Sequence, residues 1–276
     1  FEYVMEYSAI ISFDIFFIYL SLTYTTLLQS VGDTRRPAII NTLSVLLNIV
    51  LDPFLVLGIG PFPRLGVAGA ALTDVIGMVV SVSSLHYMLR KRYPEIKLGF
   101  TKDISREWIL LVLKIGLPIL ALALTNGFAF LMQVKIVNLL GIVAVTAYSV
   151  GFVVVNIVDA ALWGLSGATS IMVGQSLGAG KRERALEVAY KSTALIFASM
   201  ALGAIAIYPM RGGIAGVFVR DPRIIDETER FLQLLLPTIP FFGVFMNSIS
   251  IGRGSGSTTV PTAIGIMRHW GVRVLL

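Results

Sequence analysis

Apolar residues run through this chain in long blocks, and the polar and basic residues gather in short clusters between them. A helix needs about 20 apolar residues to cross a bilayer. The blocks predict such helices at roughly 7–31, 38–59, 66–89, 109–140, 142–177, 185–210, 228–251 and 260–276. A water-soluble helical core would instead show amphipathic helices with a charged outer stripe. Pro37–Leu51, Ile115–Val134 and Ser192–Met210 carry no charge on any face. The pattern therefore predicts an all-α polytopic membrane protein with about eight helices present.

Composition sharpens this picture. Of 276 residues, 56% are apolar and 14% charged, where soluble proteins carry about 25% charged residues. Cysteine is absent, and the two histidines are His86 and His269. Disulfides, thiolate nucleophiles and cysteine zinc sites are thereby excluded. No HExxH pattern and no paired histidine ligands occur, so a membrane-embedded enzyme is not expected. The segment Gln175–Gly180 is glycine-rich and precedes basic residues, but no Gly-Lys-Ser/Thr completes a phosphate loop. It reads as a helix stop and a tight turn. The net charge of +6 sits between the apolar blocks. Taking the connections alternately, one side collects twelve Lys/Arg and the other five. The richer side, which includes Arg35, Arg36, Arg90–Arg92 and Lys181–Arg184, is expected to be cytoplasmic. The partners implied are the lipid bilayer and its anionic head groups, not nucleic acid.

One short pattern recurs. Gly32, Thr34 and Pro37 match Gly256, Thr258 and Pro261 at a constant offset of 224. Each copy ends one apolar block and begins the next. Six predicted spans lie between the copies, and an even number preserves orientation through the membrane. The repeat predicts parallel six-helix units related by an axis along the membrane normal, a plan that transporters use. In this reading residues 1–89 are the last three helices of a first lobe. Residues 90–108 are a cytoplasmic linker, and 109–276 are about five helices of a second lobe. The chain begins without Met and stops inside an apolar run, so it is expected to be an incomplete piece of a longer protein.

Ionised side chains inside a span cost on the order of 2.5–3.5 kcal/mol at a helix centre, which singles out Asp14, Asp52, Asp74 and Asp159. Asn48 precedes Asp52 by one helical turn, and Pro53 removes the hydrogen bond that the carbonyl of Ile49 would otherwise accept. Amide, carboxylate and freed carbonyl together suit a cation or a transferable proton; the alternative is a polar cluster that holds helices together. Asn156, Asp159 and Trp163 share a helical face. An acid beside an indole suits an organic cation, while Lys135 offers the alternative of a buried ion pair. Asp14 lies two turns after Tyr7 on the same face.

Taken in order, several segments resemble the multidrug and toxic compound extrusion (MATE) family. They are Leu27–Pro37, Leu47–Pro53, Gly66–Leu72, Lys114–Pro118 and Val173–Ala185. The resemblance spans essentially the whole chain. It implies a twelve-helix, two-lobed exporter of organic cations and drugs that exchanges them for Na⁺ or H⁺, needs no cofactor and works as a monomer in the cell membrane. Helices one to three and the last would be absent here. A lipid-linked precursor flippase of the same superfamily, and a non-transport membrane protein, are the alternatives. In archaeal members the residues matching Asn48 and Asp52 belong to the cation site of the first lobe, and Tyr7 resembles a tyrosine of that site. A threonine of that site falls on either Thr73 or Asp74; alignment of Gly66–Leu72 favours Asp74, a departure from the family. Where some members carry an acid in the second lobe, this chain has Asn126. The resemblance thus implies a cation or proton site of Asp52, Asn48, Tyr7, Asp74 and Thr73. A substrate cavity is expected from Asp159, Asn156, Trp163, Asn126 and Asp14, with no metal and no catalytic residues.

Overall fold

The computed structural model describes residues 2–96 and 105–274, and the side chains of 5–96 and 105–271. The described residues form helices joined by short turns. They are α1 Glu2–Ser30, α2 Arg35–Leu57, α3 Val67–Arg92, α4 Arg106–Leu139, α5 Ile142–Gly178 and α6 Arg182–Ile207, followed by α7 Arg211–Phe218, α8 Pro222–Leu235, α9 Ile239–Ser255 and α10 Thr259–Met267. Single 3₁₀ turns join α6 to α7 and α8 to α9, and the backbone widens to a π-helix over Arg268–Val274. Among the described residues seven helical stretches are long and apolar enough to cross a membrane, including the continuous pairs Arg182–Phe218 and Pro222–Ser255. The eighth predicted segment is helical from Thr259, and its last residues, 275–276, lie outside the described ones.

Two boundaries differ from the sequence pattern. The polar stretch 211–227 is expected to be a connection, yet only 219–221 interrupt the helices there. Its charges are absorbed locally. Arg211 pairs with Glu229 at 2.9 Å and stacks on Tyr208. Asp221 caps α8 by accepting the Arg223 amide at 3.0 Å, and Pro222 occupies the first turn, where a missing N–H costs nothing. The Arg223 side chain and amide hold the Asp221 carboxyl below the usual carboxylate range. The expected linker 90–108 is also shorter, because α3 continues to Arg92 and α4 starts at Arg106 with Ser105 as its cap. Residues 97–104 of that linker lie outside the described residues.

The chain divides into two compact units, Phe1–Lys102 and Asp103–Leu276. In the first, α3 packs against both α1 and α2. In the second, α5, α6, α8 and α9 enclose an apolar core of Val154, Val158, Leu162, Ile196, Met200 and Leu232. Large apolar side chains such as Phe13, Phe16, Leu111 and Leu131 point outward, while Asp14, Ser21, Thr73, Ser81 and Asn247 are buried. This inverts the pattern of a soluble protein. Lipid gives helices no hydrophobic reason to associate, so small residues, close packing and hydrogen bonds hold them together.

The repeated motif adopts the same local backbone in both copies. Each helix ends at a glycine with positive φ, Gly32 at 91° and Gly256 at 72°. Each next helix has a threonine at its N-cap, with φ,ψ of −91°,−28° at Thr34 and −92°,−16° at Thr258. Pro37 and Pro261 then occupy equivalent positions in the first turn.

Candidate functional site in the first unit

The turn after α2 sets the site. Gly58 takes a left-handed conformation and caps α2 by donating to the Phe54 carbonyl at 3.1 Å. The chain then folds back, with the amides of Leu65 and Gly66 donating to the carbonyls of Leu55 and Val56 at 3.0 and 3.2 Å. This presses α3 onto α2. A Cβ on Gly69 would sit 2.5 Å from the Leu55 carbonyl oxygen, and one on Gly77 would sit 3.2 Å from that of Ser44. At Gly69 only glycine permits this approach, and at Gly77 a side chain would be tight. Between these two close approaches, one turn from each, lies Thr73.

Thr73 is fully buried. Its Oγ1 lies 2.6 Å from Asp52 Oδ1 and 2.7 Å from the Ala70 carbonyl oxygen. The next residue on α3, Asp74, accepts a short hydrogen bond from the Asn48 amide. The sequence leaves Thr73 and Asp74 as alternatives for one position; in the structure both reach α2, each to a different residue. Asn48 and Asp52 share a face of α2 and are both half-buried. Tyr7 is exposed, and no hydrogen bond joins it to this cluster among the described residues.

The polar contacts continue along α3. Ser81 donates to Asn41 at 2.8 Å and lies 3.1 Å from Ser21, and Asn41 donates to Thr25 at 3.2 Å. One turn further, the Tyr24 hydroxyl meets His86 Nδ1 at 2.7 Å. Sequence patterns miss these residues, since an isolated Ser or Thr in an apolar span carries little signal.

The residues expected to line a substrate cavity are more dispersed. In the second unit a cavity of about 270 Å³ lies between α4 and α5, lined by Phe130, Tyr148, Phe152 and Asn156 among others. Asn156 is the one expected residue on its wall. Asp159 is half-buried, with Oδ1 unbonded among the described residues, and Trp163 is exposed. No ion pair joins Asp159 to the exposed Lys135. Asn126 is exposed on α4, and Asp14 belongs to the first unit, where it is buried.

The MatE family model matches residues 1–54 and 118–276. The probable multidrug resistance protein YoeA of Bacillus subtilis is 30% identical over 276 residues, covering 98% of this chain and 59% of YoeA. A FAD transporter of Shewanella oneidensis is 31% identical over 212 residues, 76% of this chain and 46% of that protein. The chain thus spans about half the length of the curated relatives it matches. In fold it is similar to an outward-facing multidrug resistance MATE family transporter of the MOP superfamily. The TM-score is 0.87 at 22% identity, over 98% of this chain and 60% of that one. This chain is therefore a member of the MatE family, a multi-pass protein of the cell membrane from a family of transporters, not enzymes.

Proposed function

We propose that the full-length protein is a secondary antiporter that exports small organic cations or drugs, and that proton exchange at Asp52 drives it. The observation that carries this reading is the position of the Thr73 hydroxyl between Asp52 and the Ala70 carbonyl. A hydroxyl has one proton to give and lone pairs to receive. When Asp52 is ionised, Thr73 donates to it. When Asp52 is protonated, Asp52 donates to Thr73, which turns its own proton to Ala70. The carboxyl keeps a hydrogen bond in both states, so proton gain and loss leave no buried polar group unsatisfied. Asn48 steadies the neighbouring Asp74. The first unit's spans hold Asp14, Asp52 and Asp74, while its Lys and Arg lie at or near helix ends, a balance that favours cationic cargo.

The test uses the full-length protein in proteoliposomes loaded with a cationic dye. An imposed pH gradient should drive dye efflux, and a Na⁺ gradient at equal pH should not. Efflux driven by Na⁺ alone would replace the proton by Na⁺ as coupling ion. The FAD transporter among the relatives supplies the control cargo: preference for FAD over the dye would overturn the assignment of cationic substrates.

A further inference from the structure

Helices α1 and α3 run in the same direction, each antiparallel to α2 between them in sequence. Their register is fixed by a direct contact, the pair of buried hydroxyls Ser21 and Ser81, 60 residues apart. Two turns earlier on each helix stand Asp14 and Asp74, also 60 residues apart. A spacing of seven residues returns to the same face of a helix, so the register that joins Ser21 to Ser81 sets Asp14 facing Asp74.

The two acids are placed very differently. Asp14 is 2% exposed, and its Oδ1 has no hydrogen-bond partner among the described residues. Asp74 is half-buried and accepts a hydrogen bond from the Asn48 amide. Among the described residues no ion pair joins a Lys or Arg to either acid. From α2 the titratable side chain nearest in register is Asp52. From α3 there are Asp74 and, three turns on, His86, which is bonded to Tyr24. On α1 there are Glu6 and Tyr7. Arg35, Arg36, Arg64 and Arg90–Arg92 stand at or beyond helix ends. Two like charges facing each other across a helix contact in a low-dielectric setting do not both persist without a counterion.

We propose that Asp14 is a second proton-binding site, carrying its proton as a neutral acid opposite the charged Asp74 across the α1–α3 contact. The site takes one proton, forming the O–H bond of a carboxylic acid. It rests on the proton-exchange reading above only in purpose: it gives the first unit a proton besides the one exchanged at Asp52, and it ties α1 to the helices that carry Asp52.

Infrared difference spectroscopy on the full-length protein in lipid decides this at neutral pH. The comparison is between Asp52→Asn and Asp52→Asn/Asp14→Asn, so that the proton on Asp52 does not enter. The difference should contain a protonated-carboxyl band that shifts on exchange into D₂O. Adding Asp74→Asn to the Asp52→Asn background should move that band in frequency, because the facing charge is gone. A difference containing only ionised-carboxylate bands overturns the proposal. A band indifferent to Asp74→Asn overturns the pairing. Asp14→Asn mimics the neutral acid and is expected to fold; Asp14→Glu gives the same decision through a displaced band. Failure of the Asp52 reading would show instead as proton-coupled efflux surviving Asp52→Asn, which leaves the infrared result untouched.

Discussion

Thr73 shows how one hydroxyl separates a transport site from a packing contact. If it only bridged helices, Thr73→Val would keep the shape and lose one hydrogen bond. If it serves both protonation states of Asp52, the same change strands the carboxyl each time it ionises. We expect Thr73→Val to lower proton-driven efflux on the order of tenfold, the equivalent of one lost hydrogen bond to a charged group of about 1.5 kcal/mol. Thr73→Ser should retain efflux near the native rate. Equal efflux from the valine and native proteins, measured in proteoliposomes at matched expression, would return Thr73 to a packing role. Asn48 and Asp52 were legible in the sequence because an amide and an acid one turn apart stand out in an apolar span. Their partners were not. Whether Thr73 or Asp74 faces Asp52 depends on the α2–α3 register, which the fold-back at Gly58–Gly66 sets. Asp14 was legible as a costly acid, but what it faces depends on the α1–α3 register, fixed by two serines that no pattern marks.

Between helices, glycines decide how closely backbones approach. Gly69 is expected to tolerate no side chain, because the atoms its Cβ would meet are the Leu55 carbonyl oxygen and carbon at 2.5 and 2.7 Å, and backbone cannot swing aside. Gly69→Ala should push α3 from α2, cost about 1–3 kcal/mol, and weaken the Thr73–Asp52 contact one turn away. A lower melting temperature in detergent together with reduced efflux would confirm it; native values for both would mean that the helices do not pack this closely. Gly32 and Gly256 act differently, through positive φ at helix ends, where few atoms crowd them. Alanine at either should cost about 1–2 kcal/mol, and by similar amounts if the two motifs are equivalent. The sequence pattern located the seven long helical stretches and the start of an eighth helix, because long apolar blocks stand out from the polar clusters between them. It failed at 211–227, where the charges suggested a loop. There α8 is amphipathic: Thr228 and Leu232 are buried, and Glu227, Glu229 and Arg230 stand on its outer side or pair locally.

For the whole molecule, the repeat makes a geometric claim. Residues 1–40 and 225–264 should superpose by a rotation about the membrane normal in an experimental structure of the full-length protein, with Gly32 on Gly256 and Pro37 on Pro261. Segments running in opposite directions through the membrane would refute the duplication. The matching glycine and threonine conformations support it locally. The central claim is nevertheless about coupling, and one variant addresses it most directly. Asp52→Asn removes the exchangeable proton and keeps the side chain's shape. With the full-length variant in proteoliposomes holding a pH indicator, adding cationic substrate to the native protein should produce counterflow of protons. The same addition to Asp52→Asn, folded and inserted at normal yield, should produce none. Proton counterflow at the native rate through Asp52→Asn would contradict the account and leave Asp52 as a residue that packs α2 against α3.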